Sequence, residues 1–283
     1  MNHGTPRFLG LLGNPVAHSV SPAMHNAGFR ALGLDAVYLA FDVPRGALGA
    51  AIYGLQALGA AGFNLTIPHK EAALKLLDDL APAAAAIGAV NTVVRSGRHL
   101  VGHNTDAGGF TWALREEAGL DPRGRRAVIL GAGGFARAVA YGLREAGAEV
   151  QVVNRSLERA RLLAESLGRG ITALEAGGGR ALAALREADL VVNATPLGMH
   201  PAVGGTPLED LSPLKDGCVV VDGIFNPLTT RLVGEARHRG LRALGGLGTL
   251  VRQGALAWPL WFGREAPLSA MEAAARDALG AQA

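Results

Sequence analysis

The chain has 283 residues, 49% of them hydrophobic, and a formal net charge of only +3. Such a length suits two medium domains or one large one with substantial buried cores, which excludes a disordered chain. The basic residues are scattered, which argues against nucleic-acid binding, and no apolar run reaches the roughly 20 residues of a membrane span.

Residues 1–7 lack the charged-then-apolar layout of a secretion signal. Phe8 to Leu12 forms a short apolar strand that ends in the turn Gly13-Asn14-Pro15. Ser21-Pro22 then opens a helix, with Ser21 as N-cap and Pro22 at the first position, so Ser19 is the hydroxyl freer to meet a ligand. Ala36 to Val43 is the second strand, Pro44 to Leu58 has helical spacing, and Phe63 to Ile67 is the third strand. Pro68 starts a further helix carrying Lys70, Leu74 and Leu77, and Ser96-Gly97 is a turn between strands Val90 to Arg95 and His99 to His103. Strands alternating with helices predict a mostly parallel sheet covered on both faces.

Thr105 to Ala118 reads as a long helix leaving this first unit, and Gly119 to Arg126 as a polar link. A second strand–helix series follows: Ala127 to Leu130, Phe135 to Ala146, Glu149 to Val153, Leu157 to Leu167, Asp189 to Ala194 and Val219 to Asp222, with Gly177-Gly178-Gly179 as a flexible loop inside it. Cys218 lies in an apolar run and reads as a small buried hydrophobe; a single cysteine makes no intrachain disulfide and fits a reducing cytoplasm. Two helical stretches, Val251 to Trp261 and Ser269 to Leu279, end the chain.

The second series opens with a turn of dinucleotide type. The buried strand Ala127-Val128-Ile129-Leu130 runs directly into Gly131-x-Gly133-x-x-Ala136 and then a helix. The first glycine makes the tight turn, the second lets backbone approach a pyrophosphate, and Ala136 lets helix pack on strand. A helix N-terminus offers N–H groups and partial positive charge to phosphates. The next strand ends in Asn154-Arg155-Ser156, with Arg159 a turn later. The acid that would read the ribose of NAD is missing there, and two guanidinium groups suit the 2′-phosphate of NADP.

Only three of the 27 basic residues are lysines, Lys70, Lys75 and Lys215. Lysine can give up its proton near neutral pH where arginine cannot. Lys70 follows one strand end and Asp106 another, so parallel strands would bring both to the rim where open α/β sheets bind ligands. Such a pair can exchange a proton with a substrate hydroxyl; alone, it could equally be a surface ion pair. Asn64, Thr66, Asn91 and Asn104 at strand ends suit either a polyhydroxylated ring or turn and capping roles. The segment Asn193 to Met199 is a plain loop or a cover over the nicotinamide half. His18 and His25 lack companions at metal-ligand spacing, so no metal site is expected.

Taken in order, Gly13 to Pro22, Asn64 to Lys70, Gly88 to Thr92, Asn104-Thr105-Asp106, Gly131 to Gly134, Asn154-Arg155-Ser156, Asn193 to Met199 and Gln253 resemble shikimate dehydrogenases over nearly the whole chain. The resemblance implies NADPH-dependent, reversible reduction of 3-dehydroshikimate to shikimate in aromatic amino-acid synthesis, by a cytoplasmic monomer or homodimer. It implies an α/β fold of two domains separated by a cleft. Residues 1–105, rejoined by the helices of 250–283, would form the open-sheet substrate-binding domain, and 106–249 a Rossmann-type NADP-binding domain. Lys70 and Asp106 would be the catalytic pair, which of them carries the transferred proton being left open. Ser19, Ser21, Asn64, Thr66, Asn91, Gln253 and the residue at Phe225 would meet the substrate. Gly131, Ala132, Gly133, Gly134 and Phe135, with Asn154, Arg155, Arg159, Thr195, Gly223 and Gly246, would meet NADP.

Three positions depart from the family's pattern. Phe225 stands where the family usually carries a tyrosine that helps hold the substrate carboxylate, Phe135 replaces a small residue in the glycine-rich turn, and Gly254 replaces a commoner alanine. Phe225 keeps open a quinate or quinate/shikimate dehydrogenase. Fold alone also leaves open a non-catalytic NADP-binding regulator, against which the presence of both Lys70 and Asp106 argues.

Overall fold

A computed structural model describes residues 7–281. The reading of residues 1–7 as no secretion signal rests almost wholly on residues outside the described ones. The described residues form two compact units, 7–105 with 251–281, and 106–250.

In the first unit the chain runs through β1 (Arg7–Gly13), α1 (Ser21–Ala31), β2 (Ala36–Asp42), α2 (Leu48–Ala57), β3 (Gly62–Leu65), β4 (Asp79–Leu80), α3 (Pro82–Ile87), β5 (Thr92–Ser96) and β6 (His99–His103). The strands lie in the order β2-β1-β3-β5-β6-β4. β1 pairs parallel with β2 and β3, β4 parallel with β6, and β5 runs against both its neighbours. β3 and β6 therefore point the same way. Their carboxyl ends, one leading to Lys70 and the other to Asn104-Thr105, reach one rim of the sheet. Leu12, Phe63, Leu65, Val93 and Leu100 form a core with Leu48, Ile52 and Leu55 of α2.

The second unit holds α4 (Asp106–Ala118), β7 (Arg126–Leu130), α5 (Gly134–Glu145), β8 (Glu149–Asn154), α6 (Leu157–Leu167), β9 (Ile171–Glu175), α7 (Gly179–Glu187), β10 (Leu190–Asn193), β11 (Val219–Asp222), α8 (Arg231–His238) and β12 (Arg242–Leu244). Its sheet is parallel throughout, in the order β12-β11-β10-β7-β8-β9. Alternate residues serve opposite faces, as the pleat requires. Ile129, Val152 and Val192 pack under Phe110 of α4, Val139 of α5 and Leu163 of α6, while Val128, Val153, Val191 and Val220 pack under Leu185 of α7 and Val233 of α8. Strands buried on both faces explain the unbroken apolar runs in the sequence. Helices α9 (Leu247–Phe262) and α10 (Leu268–Gly280) follow, and none of the helices among the described residues is long and apolar enough to cross a membrane.

Three local expectations are corrected. The helix expected from Pro68 does not form; a 3-10 turn, Ala72–Lys75, follows instead. The Lys70 carbonyl accepts from the Val90 N–H at 2.8 Å, and Leu74 N–H turns to Glu71 O at 3.3 Å, so a tertiary bond replaces the helical ladder at Lys70. Ser21 is not an N-cap. Val20 already has helical dihedrals and its carbonyl accepts from Met24 N–H, so Ser21 lies inside α1 with no side-chain cap. Its N–H donates to Ser19 Oγ at 3.3 Å, which engages the hydroxyl expected to be the freer one. Of the triple glycine, only Gly177 makes a turn, at φ +79°; Gly178 is the N-cap of α7 and Gly179 its first residue. The short elements β4, α3, β9, α7, α8 and β12 add to those expected.

The carboxyl-terminal helices complete the first unit's second face. A methyl group on Gly28 of α1 would lie 2.6 Å from Trp258 Cζ2, and one on Gly62 would collide with Trp261, so both glycines let α9 approach closely. Trp261 Nε1 donates to Val93 O at 3.0 Å, and Trp258 Nε1 donates to His25 Nδ1 at 3.1 Å. The indole can only donate, so the His25 proton is on Nε2, which has no partner among the described residues. Burial pushes the His25 pKa down to about 3. The folded state thus refuses a proton that the unfolded chain takes up below about pH 6.5. Stability from this group is full above that pH and is lost as pH falls toward 3, at up to about 1.4 kcal/mol per pH unit. We expect His25→Gln to lose about 2 kcal/mol less than the parent between pH 7 and pH 5 in urea unfolding. Equal losses in the two proteins would show that His25 is not charge-excluded in the fold.

Candidate functional site

In the first unit, short polar side chains near the end of β3, at the start of β5 and just beyond β6 interlock. Asn64 Nδ2 donates to Asn91 O at 2.9 Å and to Thr92 Oγ1 at 3.0 Å, while Asn64 Oδ1 accepts from the Tyr38 hydroxyl at 2.6 Å. A carbonyl can only accept, which fixes the orientation of this amide and leaves it acceptor capacity alone for a ligand. Asn91 Nδ2 donates to Thr105 Oγ1 at 2.9 Å and to Gln253 Oε1 at 3.0 Å, and Asn91 Oδ1 accepts from Thr105 N–H at 2.7 Å. Asn64, Asn91, Thr92 and Thr105 are all buried. Burial without partners would be costly, so the network holds each group in one orientation.

The structure brings the expected residues Asn64, Asn91 and Gln253 into this single network. Thr66 stands at the rim, its N–H bonded to Leu12 O at 3.0 Å. Asn104 Nδ2 donates to Ala89 O at 3.0 Å, a turn-fixing role. Lys70 is half-buried, and its backbone is pinned on both sides: His69 Nε2 donates to Val43 O at 2.7 Å, and Lys70 O accepts from Val90 N–H. Asp106 is buried and opens α4 in the second unit. Sequence reading missed Tyr38, Thr92 and Thr105. Their only signal is position, since Tyr38 alternates inward on β2 and the two threonines border their strands.

In the second unit, Gly131 has φ +111°, and a methyl group there would lie 3.0 Å from Ala194 O and from Thr195 Cγ2. Gly133 is the N-cap of α5 and meets nothing within 4 Å on the side where a Cβ would stand. No side chain caps this helix, so the α5 start, flanked by Ala132 and Gly134, presents N–H groups to open space. This cradle fits a dinucleotide pyrophosphate. At the end of β8, Asn154 Nδ2 donates to Ser156 O at 2.9 Å, and Ser156 caps α6 by accepting from Arg159 N–H. Arg155 and Arg159 are exposed, and their guanidinium groups have no partner among the described residues. They fit a phosphate on the ribose.

The ends of β10 and β11 are tied together. Asn193 Nδ2 donates to Asp222 Oδ1 at 2.9 Å, and Asn193 Oδ1 accepts from Thr195 N–H at 2.9 Å and from its hydroxyl at 2.7 Å. Asp222 also accepts from Thr230 Oγ1 at 2.7 Å and Ile224 N–H at 3.0 Å. Burial pushes the Asp222 carboxyl up, and the hydrogen bonds from Thr230, Ile224 and Asn193 pull it back. The segment after Asn193 is thus anchored to the carboxyl rim rather than a plain loop. Gly246 lies against the Gly223 carbonyl so closely that any side chain would collide. Phe225 is half-buried in the loop after β11. The buried Asp222, also missed, has one signal: a carboxylate ending the run Val219-Val220-Val221. Among the described residues no group of three or more His, Cys, Asp or Glu could hold a metal ion.

Comparison with known proteins agrees with both halves of this description. Residues 11–93 match the shikimate dehydrogenase substrate binding domain, 114–227 the shikimate/quinate 5-dehydrogenase family, and 246–276 the shikimate 5′-dehydrogenase C-terminal domain. A shikimate dehydrogenase (NADP(+)) of Symbiobacterium thermophilum is 54% identical over 99% of this chain and 97% of its own. The shikimate 5-dehydrogenase of Thermus thermophilus, solved with NADP(H) and shikimate, is 44% identical with a TM-score of 0.87, covering 96% of this chain and 99% of that one. A quinate dehydrogenase of Corynebacterium glutamicum, solved with NAD, is 35% identical with a TM-score of 0.86, covering 96% of this chain and 99% of that one. With family matches in each unit and more than half of its residues shared with a near full-length relative, the chain belongs to the shikimate dehydrogenase family of oxidoreductases.

Proposed function

We propose that the chain reversibly reduces 3-dehydroshikimate to shikimate with NADPH, a step of aromatic amino-acid synthesis, and that Lys70 and Asp106 form its acid–base pair. The observation that carries this reading is the interlocked network of Asn64, Asn91, Thr105 and Gln253 at the carboxyl rim of the first sheet. Short, rigid polar groups lose little entropy when they grip a ring bearing several hydroxyls. The shikimate and NADP(H) bound to the Thermus relative support the choice of ligands. The reading assigns residues 7–105 and the carboxyl-terminal helices to the substrate and 106–249 to the coenzyme.

When bound, the coenzyme supplies a hydride to the carbonyl carbon. Lys70 and Asp106 hold between them the proton taken up by the carbonyl oxygen, and receive it back in the reverse direction. Ser19, Ser21, Asn64, Thr66, Asn91 and Gln253 hold the ring, Asn64 facing a hydroxyl because only its acceptor is left. Gly131 to Phe135 meet NADP, Gly131 to Gly134 at its pyrophosphate, and Asn154, Arg155 and Arg159 hold the 2′-phosphate. Thr195, Gly223 and Gly246 border the nicotinamide half. We assign the enzyme to the cytoplasm as a monomer or homodimer. A single cysteine, which can make no intrachain disulfide, supports a reducing compartment.

A second reading, relaxed choice between shikimate and quinate, is favoured by Phe225, which lacks the hydroxyl the family usually offers to the substrate carboxylate. The reading is tested by following NADP(+) and NAD(+) reduction with each substrate; absence of turnover with shikimate would refute it. We expect Lys70→Ala to lower kcat by about 10²–10⁴ while the urea unfolding midpoint stays unchanged, and near-normal turnover would remove Lys70 from the chemistry. Phe225→Tyr is expected to lower the KM for shikimate by about tenfold or more, from one hydrogen bond to a charged group worth about 1.5–3 kcal/mol. An unchanged KM would mean that Phe225 does not meet the carboxylate.

A further inference from the structure

We infer that Phe135 is the platform on which the nicotinamide ring lies, so that this side chain sets how tightly the redox half of the coenzyme is held. The inference rests on the reading of Gly131 to Gly134 as a pyrophosphate cradle, which their uncapped helix start and open approach at Gly133 support.

Phe135 is the second residue of α5, directly after that cradle. Its ring does not stay over its own strand. It reaches from the end of β7 past β10 to the residue after β11, where a methyl group on Gly223 would lie 2.5 Å from Phe135 Cε1 and 3.0 Å from Cδ1. Behind it stands the buried Phe110 ring, edge-on at 80° with centroids 6.4 Å apart. Gly223 cannot retreat, because Gly246 presses on its carbonyl and its N–H is bonded to Asn193 O at 2.9 Å. The ring is therefore wedged in place, yet it remains half-exposed.

The strand order locates this half-buried ring relative to the cradle. From β7 the chain proceeds outward through β8 and β9 on one side, while β10, β11 and β12 lie on the other. The crevice of such a sheet opens at this reversal, between β7 and β10. A pyrophosphate on the α5 start divides its ligand there. Arg155 and Arg159, at the end of β8, mark the side of the phosphorylated ribose. Phe135 lies on the opposite side, where the other half of a dinucleotide must go. A fixed, half-exposed phenyl ring there is complementary to a flat heteroaromatic ring, through offset stacking and the removal of apolar surface from water.

The test is equilibrium binding by titration calorimetry of NADPH and of 2′-phosphoadenosine 5′-diphosphoribose, which keeps the phosphorylated adenosine and the pyrophosphate but has no nicotinamide. Full-length parent, Phe135→Ala and Phe135→Leu are compared. Phe135→Ala is expected to weaken NADPH about tenfold, in the range of aromatic stacking, and to leave the diphosphoribose within about twofold; Phe135→Leu, which keeps apolar volume but no ring, falls between. Diphosphoribose binding also certifies that each variant is folded. Equal weakening of both ligands would mean that the ring only shapes the phosphate turn and would overturn the inference, as would unchanged or tighter NADPH binding. A parent that binds neither ligand would refute the cradle reading itself, and this inference with it.

Discussion

The side-chain amide of Asn91 is the fastening on which the first unit's polar site depends. It joins the start of β5 to Thr105 beyond β6 and to Gln253 of α9, while the Asn91 backbone carbonyl holds the amide of Asn64. Three segments far apart in the chain thus meet on one residue. The bonds to Asn64 and Thr105 are buried, so their loss would leave donors and acceptors unpaired rather than rehydrated. The antiparallel β5 makes this possible: entering the sheet against its neighbours, it brings its first residue to the rim where β3 and β6 end.

The second unit solves the same problem with a carboxylate. Asp222 is fully buried and held by neutral donors from Asn193, Thr230 and Ile224. Among the described residues no cation neutralises it, so burial raises its proton affinity while three hydrogen bonds pull it back. The arrangement ties two strand ends to the loops that follow them. Gly223 and Gly246 are required for contact, each approaching a neighbouring segment within the space of one methyl group, whereas Gly131 combines such an approach with a φ of +111°.

The two phenylalanines that depart from the family's pattern have opposite consequences. At Phe225 an aromatic ring remains but a hydroxyl is absent, so on the proposed reading shape is kept and one polar contact is lost. At Phe135 a large ring replaces a small side chain, and the space it needs is found over Gly223. The first change acts on hydrogen bonding, the second on apolar surface, so they need not alter the same ligand.

Much of the fold was legible in the sequence because it depends on local signals. Apolar runs bounded by glycine marked the strands of the second unit. The Gly131-x-Gly133-x-x-Ala136 spacing marked the glycine-rich turn at the start of α5, and the residue types at Asn64 and Asn91 marked the polar network of the first unit. What failed were places where a distant partner overrides a local preference. Lys70 lies in a turn because Val90 takes its carbonyl, and Ser21 is no cap because Val20 has already entered the helix. The sequence by itself determined which residues could serve as donors, acceptors and turns, because those properties belong to each side chain. Only the tertiary structure decided which atoms of Asn64 and His25 remain unengaged and where the Phe135 ring rests, because a hydrogen bond or a packed ring is defined by its partner and those partners are far away in the chain.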